Sequence, residues 1–391
     1  MIELDLGSLG FERGAHLLVQ HALRSLAPDA ELAVRGASDG LAAHLRAWAR
    51  ARGHVFVRVE GSGAVLARGS AATQRWTGAE QAGTPASAVE RAPLCWGLAA
   101  RGATVEAGLP DFDFTLVDKQ VVWADEAGAL YAQAAAAQWD PERAIPWASE
   151  FELPEEIEDA VVQLMTYLVE NETLALLVPA RFLARMHPHF REVLQLLAIQ
   201  AADEARHIEV FTRRARMKRG KLGLSTAGGQ LSLKTILDEP DFALASFLLA
   251  VLGEGSFVVL LRFLEAHGPD PVTRAVAHLA AQDEVRHVAF GMAHLRRHAQ
   301  LDPHLRERLA AAVERRHDAL ANTAGLNEEV RDALVLLAAG AFEPAAIERG
   351  HALVQAMERE MDAGRKKRLA HLGFPEGEAQ SLSQLHTRNF M

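Results

Sequence analysis

The chain of 391 residues contains a single cysteine, Cys95, and only two tyrosines, Tyr131 and Tyr167. One thiol excludes an intrachain disulfide and any cysteine-based zinc or iron–sulfur site within one chain, and fits a reducing compartment. The 41 basic against 51 acidic side chains leave a net charge of −10, and the basic run Lys218-Arg219-Gly220-Lys221 is explained by its place after a helix C-terminus. Nucleic acid and anionic membrane surfaces are therefore poor partners. The first residues, Met1-Ile-Glu-Leu-Asp-Leu, lack the basic region and apolar run of a signal peptide, so a cytoplasmic location is expected. P-loop, G-x-G-x-x-G and nucleophile-elbow patterns are missing as well. One run, Phe242 to Leu261, is apolar over the roughly 20 residues needed to cross a bilayer. Glu254 interrupts it between Gly253 and Gly255, and a charge in mid-segment is costly in lipid. A helix buried on all sides in a bundle accounts for the same pattern.

What is present falls into dissimilar parts. Over residues 1–68, short alternating runs (Ile2–Leu6, Glu31–Arg35, His54–Val59, Ala64–Ala67) are interleaved with helical spacing at Phe11–Leu26 and Leu41–Arg52. The order β-α-β-α-β-β predicts a small two-layer α/β sandwich. In "LDLGSLGF", in "LRSLAPDAELAVRGASDGLAAHLRAWARARGHVFV" and in length, this segment resembles the TusA/SirA-like sulfur-carrier fold. That family carries Cys-Pro at the start of its first helix, where this chain reads Gly10-Phe11-Glu12-Arg13. The departure excludes persulfide chemistry there and leaves a docking or stability module. Residues 69–123 read as a linker, rich in small residues up to Pro93, followed by an apolar packing segment.

From residue 124 the pattern is helical. A first helix is expected over Ala124–Trp139. Long stretches at about 154–184, 188–217, 240–267 and 270–299 each carry a proline near the start, where it is tolerated. At 1.5 Å per residue each is about 45 Å long, which predicts a four-helix bundle. The longer Gly-rich link Arg219–Asp238 reads as a crossover. Stretches at 303–322, 328–341 and 344–371 add C-terminal helices. The expected class is a multidomain α+β protein, mainly α, with residues 124–391 as its helical domain.

Two of the long stretches carry the same five-residue pattern: Asp203-Glu204-Ala205-Arg206-His207 and Asp283-Glu284-Val285-Arg286-His287. Positions i and i+3 share a helix face. Glu204 and His207 align with Leu197, Ala201, Ile208 and Phe211, and Glu284 and His287 with Leu279, Ala280 and Val288, so these polar groups point inward. A buried carboxylate without a partner is very costly, and a cation is the natural compensation. Asp203 and Asp283 are placed to accept the ring N–H of the histidine opposite, with Arg206 and Arg286 neutralising them. A metal site in a bundle core calls for an acid from each remaining helix. On the third helix that is Glu254. On the first, Glu170 and Glu172 compete, and the apolar face of Leu164, Met165, Leu168, Ala175 and Leu176 selects Glu172.

Four Glu and two His suit iron or manganese rather than metals selected by thiolate, and four carboxylates neutralise two divalent ions. With these residues, positions 154–300 resemble the ferritin-like di-iron carboxylate superfamily. D-E-x-R-H in both halves looks most like its bacterial oxygenases, such as the hydroxylase subunits of multicomponent monooxygenases. The resemblance implies two Fe ions (or Mn/Fe), O2 as co-substrate and oxidation of a small organic molecule, with Glu172 and Glu254 as catalytic carboxylates. An external reductase or ferredoxin is also implied, since no redox-cofactor motif is visible, and a homodimer is plausible. A di-iron oxidase or N-oxygenase, and an iron-storage protein, are the alternatives.

Some positions depart from the family. Phe211 and Gly291 stand where a radical tyrosine would follow a ligand histidine, and Val258 replaces a threonine one turn after Glu254. Thr173, Ser256 and Tyr167 remain as proton-donor candidates. His294 and His298 follow His287 on one helix side and read as a solvated helix end.

Overall fold

The computed structural model describes residues 2–70, 75–321, 323 and 328–386. The chain divides into two compact units: residues 1–86 with 99–110, and residues 87–98 with 111–391.

In the first unit, strands β1 (Ile2–Asp5), β2 (Glu31–Arg35), β3 (Val55–Glu60) and β4 (Gly63–Ala67) form one sheet of order β1-β2-β4-β3. β1 and β2 run parallel, while β4 pairs antiparallel with both β2 and β3. Helices α1 (Ala15–Arg24) and α2 (Leu41–Ala51) supply the crossovers. Each turns one apolar stripe, Ala15, Val19 and Leu23 or Leu41, Leu45 and Ala49, onto Leu32, Val34, Ala64 and Leu66 of the sheet. The period of 2 in the strands and of 3.6 in the helices meet in one core, giving the expected two-layer sandwich. Gly63 has no side chain for a steric reason: a Cβ there would lie 1.8 Å from the carbonyl oxygen of Val34 on the neighbouring strand. A short ribbon, β5 (Glu80–Gln81) with β6 (Thr104–Val105), completes the unit.

The second unit is helical. After α3 (Ala127–Ala136) come the four long helices α4 (Glu155–Leu183), α5 (Arg191–Arg219), α7 (Phe242–His267) and α8 (Pro271–Leu301). The crossover between α5 and α7 holds a helix of its own, α6 (Ala227–Leu237), capped by Thr226 Oγ1, which accepts from Gly229 N. Helices α9 (Leu305–Leu320), α10 (Glu328–Ala339) and α11 (Pro344–His371) follow, with α12 (Glu376–His386), which periodicity did not reveal. The architecture is a ferritin-like bundle with extra C-terminal helices. α4 and α7 are both long and apolar enough to cross a membrane, but the most apolar window of α7 is 94% buried inside the fold, as expected of a central core helix.

Two local devices shape the bundle. α7 is not regular: Phe247–Glu254 adopts π-helical turns before α-helix resumes at Gly255. Such wide turns re-aim the side chains that follow and occur mostly at functional positions. At the bundle end, the fully buried Arg214 of α5 donates to both carboxylate oxygens of Glu158 on α4 (2.8 and 3.0 Å) and to Asp270 Oδ2 (2.8 Å). Asp270 is also the N-cap of α8, accepting from Thr273 N. One guanidinium thus fixes three helix ends against each other.

Candidate metal centre

The six sequence-selected ligands converge in the bundle core. Glu172 comes from α4, Glu204 and His207 from α5, Glu254 from the end of the π-turns in α7, and Glu284 and His287 from α8. They form two overlapping groups, Glu172, Glu204, His207 and Glu284, and Glu204, Glu254, Glu284 and His287, in which one donor atom from each residue lies within 4.8 Å of the others. Glu204 and Glu284 belong to both groups, so two ions held there would share them, while Glu172 belongs to one group and Glu254 to the other. Every one of the six is at most 3% exposed. Glu170, the rejected alternative, is only partly buried and joins neither group.

Each histidine has one nitrogen on the carboxylates and the other on an aspartate. His207 Nδ1 lies 3.2 Å from Glu204 and 3.5 Å from Glu284, and its Nε2–H donates to Asp283 Oδ2 across the helix pair (3.1 Å). His287 Nδ1 lies 3.0 Å from Glu204 and 3.4 Å from Glu284, and its Nε2–H points to Asp203 Oδ2 (3.4 Å). A carboxylate accepts only, so each aspartate fixes the tautomer that leaves Nδ1 free to ligate. Arg206 donates to Asp203 (2.6 Å) and Asp283 (2.8 Å), and Arg286 to Asp283. The two D-E-x-R-H motifs are thereby knitted into one crossed network.

Three contributors carry no sequence signal of their own. Trp139 Nε1 donates to Asp283 Oδ2 (2.8 Å), and its ring stacks on His207 with centroids 6.3 Å apart and lies under the Arg206 guanidinium. Gln138 Nε2 donates to Asp203 Oδ1 (2.8 Å), and its Oε1 accepts from Arg206. Gln200 Nε2 donates to Glu254 Oε1 (3.2 Å). Gln138 and Trp139 follow α3, far from the motifs in sequence, and only the folded chain lays them on the aspartates. Gly291, one turn beyond His287, lets α8 approach the π-turns, since a Cβ there would lie 2.6 Å from that of Ala250.

The donor set fits metal ions. Among the described residues, Glu172 Oε1, Glu254 Oε2 and both oxygens of Glu284 are buried without a hydrogen-bond partner, a density of orphaned acceptors that is costly unless positive charge fills the space between them. Protons show the same demand. Burial pushes Glu172 well above the usual carboxylate range, helped by the charges of Glu204 and Glu284. Burial and the charge of Glu284 do the same for Glu254. Burial would depress His207 and His287, but surrounding carboxylates, led by Glu172 for the former and Glu204 for the latter, raise both well above the ordinary imidazole value. Burial would also raise Glu204, yet the two imidazoles outweigh it and hold that carboxyl low. The centre therefore takes up positive charge in whichever form is supplied, and its hard oxygen and imidazole donors match a di-iron or manganese–iron pair.

Two of the three hydroxyl candidates are engaged elsewhere: Thr173 Oγ1 donates to Val169 O, and Ser256 Oγ to Leu252 O. His294 and His298 correct the sequence reading, because both are buried rather than solvated. His294 Nδ1–H donates to the carbonyl of Trp123 (3.2 Å), its ring meets Phe242 with centroids 5.0 Å apart, and burial followed by the nearby His298 lowers its pKa to about 4. Neither joins the metal groups. The segment around Trp123, distant in sequence, covers that side of α8.

No family model and no curated protein matches the chain. Among solved structures, an R2-like ligand-binding oxidase from Sulfolobus acidocaldarius aligns at 17% identity and TM-score 0.43, covering 61% of this chain and 90% of that one. A variant of an R2-like ligand-binding oxidase with anaerobically reconstituted Mn/Fe cofactor aligns at 19% and 0.48, covering 64% and 94%. A protein with aldehyde deformylating oxidase activity from Synechococcus aligns at 17% and 0.41, covering 59% and 96%. At these values the similarity carries no activity over to this chain.

Proposed function

We propose that the protein is an O2-dependent oxidase of the dinuclear iron or manganese–iron type, acting on a small organic substrate. The observation that supports this is the pair of buried metal-binding groups sharing Glu204 and Glu284. Glu172, Glu204, His207, Glu254, Glu284 and His287 would hold two ions, which would supply O2-reducing redox chemistry, with electrons from the substrate and from an external donor such as a ferredoxin or reductase. The chain's own contribution is positional. Asp203 and Asp283 hold the imidazoles in the ligating tautomer, while Trp139 and the bundle core keep water from the cluster. Glu172 and Glu254, one from each group, have free buried oxygens and raised pKa values. They are the carboxylates suited to hold and release a proton as charge on the centre changes.

Insertion of an oxygen atom into the substrate, monooxygenation, is the second reading, favoured by the paired D-E-x-R-H motifs. The engagement of the Thr173 and Ser256 hydroxyls with backbone carbonyls leaves no committed hydroxyl donor for it on those two residues, which is why oxidation is placed first. For the first unit, with its β-α-β-α-β-β order, we propose a docking or stabilising role.

Metal content by inductively coupled plasma mass spectrometry tests the centre. About two iron, or iron plus manganese, per chain, lost in Glu204→Ala/Glu284→Ala, is the expected result. A folded wild type that takes up no Fe(II) on anaerobic reconstitution would overturn the assignment. O2 uptake by the reduced, loaded protein, with labelled O2 followed into product or into water only, then separates oxygenation from oxidation.

A further inference from the structure

The first unit contains a cavity of about 660 Å³ unrelated to the metal centre. It opens where α1 and α2 end and β3 begins, and among its lining residues are Arg24, Arg52, Arg68, Arg75, His54 and Trp48. That volume lies in the range of small-molecule sites, about 300–1,000 Å³. Among the described residues no carboxylate lines it, although the chain as a whole is acidic.

The ordinary explanation for basic residues at helix C-termini is neutralisation of the helix dipole. At the end of α1 that work is done by one residue. The Arg68 guanidinium donates to the carbonyls of Arg24 and Leu26 at the end of α1. Arg75 is occupied by Glu106, to which it donates from both Nε and a terminal nitrogen (3.1 and 3.0 Å). Arg24 and Arg52 pair with no carboxylate among the described residues, and both are exposed at the cavity. Four guanidinium groups, one compensating glutamate and two helix ends of about half a negative charge each leave the cavity near +2, the charge that a phosphate dianion would cancel.

The aromatic pair adds a ring surface. Trp48 stacks on His54, with centroids 5.5 Å apart and planes inclined by 22°. His54 Nδ1 is fixed as an acceptor by Gly69 N (3.1 Å). Burial, then the charges of Arg68 and Arg52, push the His54 pKa below its ordinary value, so this ring stays neutral beside the arginines.

We propose that this cavity binds a small phosphate-bearing molecule, with Arg24 and Arg52 as the principal anion contacts and the Trp48–His54 stack as the wall that meets any attached ring. Arginine is the side chain suited to such a group, because its planar fork matches phosphate oxygens in pairs. The site does not depend on the metal centre, and neither reading falls with the other.

Isothermal titration of the full-length chain with AMP, inorganic pyrophosphate and a ten-nucleotide single strand tests the proposal. One-site binding of AMP or pyrophosphate with a Kd below about 1 mM is expected, weakened about tenfold or more in Arg24→Gln/Arg52→Gln. Arg50→Gln, an exposed change in the last turn of α2 that does not line the cavity, should leave it within about twofold, with melting curves of both variants like wild type. AMP binding more tightly than pyrophosphate assigns a ringed ligand such as a nucleotide, and the reverse order assigns a ringless phosphate. No saturable heat with either, an equal loss in Arg50→Gln, or preference for the oligonucleotide by more than about tenfold would overturn it.

Discussion

Asp283→Asn tests whether the crossed aspartate network sets metal affinity. Asp283 Oδ2 accepts from His207 Nε2 (3.1 Å), Trp139 Nε1 (2.8 Å) and Arg206 (2.8 Å), while Oδ1 accepts from Arg286. An amide cannot reproduce this, because whichever way it is turned its NH2 faces a donor. The cheaper orientation sets the NH2 against Arg286, whose side chain is 12% exposed and able to swing away. The imidazole then keeps its tautomer but loses the negative partner that makes Nδ1 a stronger ligand. Changes of this kind cost about 10–100-fold in metal affinity, or about 1.4–2.7 kcal/mol. Asp203→Asn should cost less, since its bond to His287 is longer, 3.4 Å, and Gln138 already shares its Oδ1. Anaerobic Fe(II) titration against a chromophoric chelator reads both variants, with thermal melts as a folding control. An Asp283→Asn affinity within about twofold of wild type, or a larger loss in Asp203→Asn, would refute the reasoning.

Arg214→Met leaves Glu158 and Asp270 buried without their cation and should destabilise the helical unit by about 3–5 kcal/mol; urea unfolding checks this, and adding Glu158→Gln should recover part of the loss. Glu172→Gln should lower metal uptake, whereas Glu170→Gln, outside both groups, should leave it unchanged in the same metal assay. Because Glu172, Glu254, His207 and His287 all have raised pKa values, the metal-free centre carries protons that the ions displace. Calorimetry in buffers of different ionisation heat should therefore show proton release on loading, with affinity rising as pH rises. Stability of the metal-free protein runs the opposite way: the contribution of these raised groups is present below their unfolded values and lost as pH climbs through the folded ones, so the metal-free protein should melt lower at pH 8 than at pH 6.

The sequence by itself selected the six residues that the fold gathers into the two acid–imidazole groups. Glu204, His207, Glu284 and His287 are legible because a helix repeats its faces, so an acid and an imidazole three apart on an apolar stripe have one direction to point. The same rule separated Glu172 from Glu170. It also gave the bundle and the β-α-β-α-β-β order of the first unit, since both rest on local periodicity. Tertiary structure alone decided what periodicity cannot encode. Gln138 and Trp139 reach the aspartates, the Trp123 segment buries His294, Arg214 ties three helix ends together, and π-turns aim Glu254. The cavity of the first unit likewise gathers arginines from helix ends and strand ends separated by tens of residues. Each of these depends on contacts between segments distant in the chain, where the reward lies in burial and charge pairing rather than in any local repeat.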